Sequence, residues 1–336
     1  MHCLLLGVMK RMLWHKKYGW IFEKPPFKLQ AAKVHEINLK LAEFKRFIPY
    51  EFSRKTRSIV DCKRYKATEF RLLLLYTGII AFKEILPKKF YNNFLCLSLG
   101  TIILCSAEFS KDESFVDYAN DLFTHFIKNS IKLYNPDFVS FNVHNMLHIA
   151  DCVKLYGMLD NFSAFPFENY MPQLTKKVRK AALPLEQVVK RIFEQRENPF
   201  VKRIPPNQQN LTYSMEHSSG PLPLQCRSPQ YKVLKHYKFY LNTSKISDRF
   251  VELDNNVIME VKNMATYENT IVLIGFYYKK IAPLFKVPID SLHLGISFIE
   301  KVNVNLNIYS VSGIRKKIMV LPFKNRFVCF PILHHQ

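Results

Sequence analysis

The chain has 336 residues, 48% of them apolar and 14% aromatic, with 28 Phe and 17 Tyr. A chain so rich in aromatic side chains can bury enough surface to offset its conformational entropy, so wholesale disorder is excluded and about two folded units are expected. Forty-nine Lys and Arg against 27 Asp and Glu leave a net charge of +22, which favours a polyanionic partner, DNA or RNA foremost; nine glycines, none in a dinucleotide-binding or P-loop pattern, argue against nucleotide-driven chemistry.

The first apolar run, residues 3–8, is followed at once by Lys10 and Arg11 and lacks the basic flank and small-residue cleavage site of a signal peptide. Residues 67–107 are rich in Leu, Phe and Ile without strict alternation and are broken at Pro87, which predicts two helices apolar over most of their circumference. Their longest apolar stretches, 72–82 and 94–107, fall short of the roughly 18 to 20 residues a membrane span requires, so they read as buried helices and no membrane partner is expected. Residues 112–133 carry apolar side chains at helical spacing (Phe115, Val116, Ala119, Leu122, Phe123, Phe126) behind a polar start. A further helix is predicted over 142–156, ending near Gly157, and another over 174–196, interrupted by Pro184.

Residues 198–229 combine six prolines with Asn, Gln and Ser, the composition of an extended connector. Beyond it the pattern changes to short β-branched and aromatic runs at 237–241, 256–262, 270–278, 297–309 and 318–331. The expected class is therefore α+β: a helical part over 1–197, a Pro-rich linker over 198–229 and a β-rich module over 230–336. In that module Arg315, Lys316 and Lys317 read as a basic edge leading into a strand, and a small peptide- or nucleic-acid-binding barrel is the functional alternative to a plain structural module. Seven cysteines, odd in number and without a CxxC pair, fit reduced intracellular thiols.

The most informative stretch is 142–170. His144 and His148 stand four apart on one predicted helix and can reach one zinc ion, and Glu168 follows between Phe167 and Asn169, where partial desolvation suits a carboxylate that holds a divalent metal. The plainer reading has one histidine in the core, one at the surface, and Glu168 opening the next helix. Two basic clusters could neutralise phosphates: Arg54, Lys55, Arg57, Lys63, Arg64 and Lys66, and, on the helix after Glu168, Lys176, Lys177, Arg179, Lys180, Lys190 and Arg191. Tyr65, Phe70 and Tyr170 beside them could stack on bases or pack in the core.

Four segments, MHCLLLGVMKRML, RKTRSIVDCKRYKATEFRLLLLYTG, NVHNMLHIADCVKLYGMLDNFSAFPFENYM and IRKKIMVLPFKNRFVCFPILH, resemble CACTA (En/Spm-type) DNA transposases in the same order. The resemblance spans most of the chain and is weakest over the connector and much of the β-rich module. It implies the tail of an RNase H-like core with a helical insertion, a nuclear location, and Glu168 as the third carboxylate of a DDE triad. It also implies His144 and His148 as distal zinc ligands, completed by His2 of the family's [C/D]xxH motif. The two aspartates of the triad, and the first residue of that motif, would lie upstream of Met1 and His2, so the expected protein binds DNA and lacks a complete catalytic site. Zinc is expected to bind weakly, Mg or Mn only if another transposase chain completes the site. Glu69 matches a family position but also reads as a polar residue opening a helix, and Asp61, Asp151 and Asp160 are further carboxylates available by composition. An interaction scaffold without DNA binding, and an active transposase with a mis-assigned start, are the rival readings.

Overall fold

A computed structural model describes residues 1–21, 28–197, 211–237, 239–302 and 304–333. Helices occupy the chain to Glu197 and an antiparallel ten-stranded sheet follows, so the protein is α+β. Pro199, Pro205 and Pro206 of the expected connector lie outside the described residues.

The helical part is built around one almost wholly buried helix. Its first helix, α1, runs in wide π turns over Cys3–Met9 and continues α-helically over Lys10–Leu13. An amphipathic α2 follows at Ala31–Phe44, which the sequence reading passed over. The predicted apolar pair is present: α3 spans Ala67–Leu72, widens to a π segment at Leu73–Thr77 and ends with Gly78–Ala81, and α4 spans Lys88–Cys105 after Pro87. From Phe94 to Cys105 every residue of α4 is buried, as a Leu, Phe, Ile and Cys run broken by Ser98, Gly100 and Thr101 requires. Helix α5, Glu113–Leu133, begins where the Asp112 side chain accepts from Ser114 N at 3.0 Å. It lies so close to α4 that a Cβ at Gly100 would meet the Phe123 ring at 2.6 Å. Asn93 Nδ2 donates to Ser130 Oγ across the same buried interface.

The strands are β1 (Thr212–His217), β2 (Arg227–His236), β3 (Phe239–Asn242), β4 (Phe250–Leu253), β5 (Ile258–Tyr267), β6 (Thr270–Pro283), β7 (Ser297–Lys301), β8 (Asn307–Ser310), β9 (Ile314–Phe323) and β10 (Arg326–Pro331). The sheet differs from the expectation in two ways: β1 stands inside the expected connector, and the single runs predicted at 297–309 and 318–331 are each two strands. One edge of β5 pairs with β4 and β2, and its other edge pairs with β6. Since β4 continues through β9, β10 and β7 to β6, the path β5–β4–β9–β10–β7–β6 closes on itself as a six-stranded antiparallel barrel. The period-2 alternation assigns the faces. Phe250, Ile258, Ile299, Ile318, Val320 and Cys329 form one buried cluster on the inner face, whereas Met319, Leu321, Val328 and Phe330, on the outer face of β9 and β10, join the hydrophobic core of the helices. Helices and barrel thus share a continuous core, fastened also by Tyr76 Oη accepting from Leu333 N at 3.0 Å.

The basic edge expected at 315–317 is not an edge. These residues belong to β9, which pairs with β4 on one side and β10 on the other, and the Lys317 side chain is 2% exposed. Its ammonium lies 2.7 Å from both the Glu51 and the Asp248 carboxylates, inside the seam between helices and barrel.

Candidate functional site

Close packing at Gly7 sets the position of the N-terminal helix. A Cβ there would lie 2.8 Å from Asn142 Cβ, so glycine lets α1 rest against α6, the helix over Phe141–His144, a 3-10 turn at Asn145–His148 and Ile149–Tyr156. Cys3 Sγ donates to Asn142 O at 2.7 Å across this contact. The arrangement carries His2 to the start of α7, Phe165–Thr175, where its ring centroid lies 3.9 Å from that of Phe165 and its Nε2 lies 2.9 Å from Glu168 Oε1. The Nε2 atom is screened from solvent, and its approach to the carboxylate lacks hydrogen-bond alignment.

The predicted helix over 142–156 forms with a 3-10 turn in its middle, and His144 and His148 lie in T-shaped contact at 5.6 Å between centroids. They can face one ion, but His2 is engaged with Glu168 instead. Among the described residues no three His, Cys, Asp or Glu side chains gather into a group that could hold a metal. A structural zinc takes four ligands, and the histidine pair by itself is two.

Glu168 stands in the first turn of α7, two residues after Pro166, and opens onto a cleft of about 950 Å³. Arg54 and Lys66, from the first sequence-read basic cluster, line the same cleft with Tyr65, Arg71 and Asp160. Arg71 grips Asp160 by two hydrogen bonds of 2.6 and 2.7 Å, so this carboxylate is committed to a partly buried ion pair. Among the described residues lining the cleft, the Arg54 and Lys66 cations stand outside any ion pair, and the exposed Glu168 carboxylate faces His2.

Other members of the first cluster have structural partners. Arg57 forks onto Glu69, whose Oε2 also accepts from Lys66 N at 2.9 Å, so Glu69 opens α3 and is buried there. Lys63 sits 5.7 Å from the Trp14 ring centroid, and Lys55 donates to the carbonyls of Ile48 and Pro49. Tyr65 and Phe70 pack in the core, the Tyr65 hydroxyl lying 2.8 Å from the carbonyl of Arg57, while Tyr170 is exposed. Burial pushes the Cys62 thiol of this segment up to about 12, as suits an inert core cysteine.

The second cluster does not lie on one helix. Lys176 follows the last residue of α7, Arg179 and Lys180 occupy a bend, and Lys190 and Arg191 ride on α8, Pro184–Glu197. Pro184 opens α8 and does not interrupt a helix, because the first helical position has no N–H to lose. Gln187 Oε1 accepts from the backbone N–H groups of Arg179 and Lys180, and Lys177 Nζ donates to Gln195 Oε1, which holds α8 against the loop that leads into it. The six cations are thus presented by the loop after α7 and by α8, whose side chains are all exposed or half-buried.

The signals missed in the sequence were Arg71, which reads as one more surface cation, and Lys317, whose spacing in phase with Met319 and Leu321 places it on the apolar face of β9.

Residues 216–332 match the family model described as Domain of unknown function (DUF8592), a span that begins within β1 and ends just beyond β10. No curated protein and no solved structure matches the chain. Among the described residues, no helix is long and apolar enough to cross a membrane.

Proposed function

We propose that this chain is a transposon-derived, nuclear DNA-binding protein with an incomplete DDE site. The reading rests on the resemblance to CACTA transposases in four ordered segments, and it is supported by one geometric observation: the cleft that holds Glu168 also holds Arg54 and Lys66. Cations beside that carboxylate suit a sugar-phosphate backbone passing through the cleft, and the loop after α7 together with α8 adds Lys176, Lys177, Arg179, Lys180, Lys190 and Arg191. With a net charge of +22 the affinity arises from counterion release, and neither basic element offers a helix shaped for reading base edges, so sequence preference is slight.

Glu168 is one carboxylate, and phosphoryl transfer through two divalent ions needs several. Asp160 is held by Arg71 and Glu69 by Arg57, so neither is free to make up the deficit. Mg or Mn would matter only in an assembly with another transposase chain that supplies the missing aspartates. Zinc, if it binds, would take His144 and His148.

A second reading, a protein-interaction scaffold, is favoured by α8, where Leu185, Val189 and Phe193 recur every four residues on one face and are exposed. The two readings separate in a fluorescence-anisotropy titration with two duplexes of unrelated sequence at low salt. Comparable binding of both supports the DNA reading, and binding of neither leaves the scaffold.

A further inference from the structure

We propose that the seam between the helices and the barrel carries an oxyanion pocket, built to hold a phosphate group on Lys45, Arg46, Lys55 and Lys245. The cavity has a volume of about 590 Å³ and is distinct from the cleft at Glu168. Lys45 and Arg46 enter it from the 3-10 turn Lys45–Phe47 that ends α2, and Lys55 from the loop leading toward α3. Lys245 comes from the barrel side, just ahead of the turn Ile246–Asp248 between β3 and β4.

Asp248 is the one carboxylate lining this cavity, and its oxygens are already occupied. Its Oδ1 accepts from Tyr50 N at 2.8 Å and from Lys317 Nζ at 2.7 Å, and its Oδ2 from Ser247 Oγ at 2.8 Å. Lys317 and Glu51 beneath it form a closed buried network with Asp248, so the floor neither needs nor offers a further cation partner. Among the described residues, none of the four wall cations has a carboxylate within ion-pair distance, although Glu and Asp side chains take up cations elsewhere on the surface.

Lys55 reports the consequence. Its ammonium is half-buried, held by the carbonyls of Ile48 and Pro49, and burial lowers its pKa, with Lys245 and Lys317 pushing the same way against Asp248 and Glu51. An ammonium has three donors, and two carbonyls leave one for a ligand. Four cations converging from two parts of the fold repel one another until an anion sits among them. A tetrahedral dianion, or a phosphodiester that lends two oxygens, suits the site better than a carboxylate, because it can meet the planar fork of Arg46 and several ammonium groups at once. A free phosphate and a nucleic-acid backbone offer the same oxygens, so the pocket does not depend on the DNA reading.

The experiment titrates the full chain with inorganic phosphate by calorimetry, with chloride at equal ionic strength as reference, and in parallel with a labelled duplex. Lys55→Gln with Lys245→Gln should weaken phosphate binding at least tenfold, and the exposed pair Lys45→Gln with Arg46→Gln, which spares the buried network, should do the same. Lys128→Gln with Lys132→Gln, exposed on α5 and away from the seam, should leave it unchanged. A parallel fall in duplex affinity in the seam variants identifies the ligand as a backbone phosphate, and an unchanged duplex affinity identifies it as a free one. Phosphate binding without any duplex binding keeps the pocket and removes the DNA reading. Phosphate heats no different from chloride, or binding that survives both seam variants with native folding intact by circular dichroism, would overturn the proposal.

Discussion

The ammonium of Lys317, on the outer face of β9, donates to the Glu51 carboxylate at 2.7 and 3.0 Å although 266 residues separate them. It also donates to Tyr240 O and to Asp248, while Glu51 accepts from Tyr240 N, so one buried network ties the loop after α2 to three segments of the barrel. A buried ion pair contributes little net stability over apolar residues of the same shape, but removing one partner strands the others without solvent.

Lys317→Met should therefore destabilise the protein by about 3–5 kcal/mol, because Glu51 and Asp248 would be left buried as unpaired carboxylates. The triple change that adds Glu51→Gln and Asp248→Asn should recover part of the loss. Urea denaturation followed by circular dichroism measures both. A loss under about 1 kcal/mol for Lys317→Met would mean that water reaches the seam.

Zinc should bind substoichiometrically. His144 and His148 provide two ligands, and His2 is turned to Glu168. Metal analysis of protein purified without chelator should find well under one equivalent, and His144→Ala should abolish it. A full equivalent that persists in His144→Ala would place the ligands elsewhere.

On the proposed reading, incubation with terminal-repeat DNA and Mg²⁺ or Mn²⁺ should leave the substrate intact at any protein concentration, since Glu168 alone cannot hold two divalent ions. Gel analysis reads this directly. Nicking by this chain alone that disappears in Glu168→Gln would reveal a second and third metal-holding group that the cleft does not display.

Much of the helical architecture was legible because its causes are local. The Leu- and Phe-rich runs on either side of Pro87 became α3 and α4, and Asp112 caps the helix its position announced. Strand β6 begins at the residue where the β-branched and aromatic run begins, Thr270. What escaped notice depends on distant partners. Strand β1 is mostly exposed and carries little alternation, so only its pairing with β2 makes it a strand. Strand β4 is four residues long and owes its place to β5 and β9. Closure of the barrel is a property of six strands together, and no single segment encodes it. At the candidate site the contact of His144 with His148 is local to one segment, whereas the cleft that joins Glu168 to Arg54 and Lys66 required three separate segments to meet.

The central claim is that the basic surfaces of this chain bind duplex DNA through its phosphates. Affinity for a labelled duplex, measured by anisotropy between 50 and 200 mM salt, should fall by roughly 10³-fold or more if about six phosphates are neutralised, with a log–log slope near −5. The charge-reduced variant Lys176→Gln, Lys177→Gln, Lys190→Gln and Arg191→Gln should bind more weakly and give a shallower slope. Binding that does not change with salt, or no binding at 50 mM, would contradict the account.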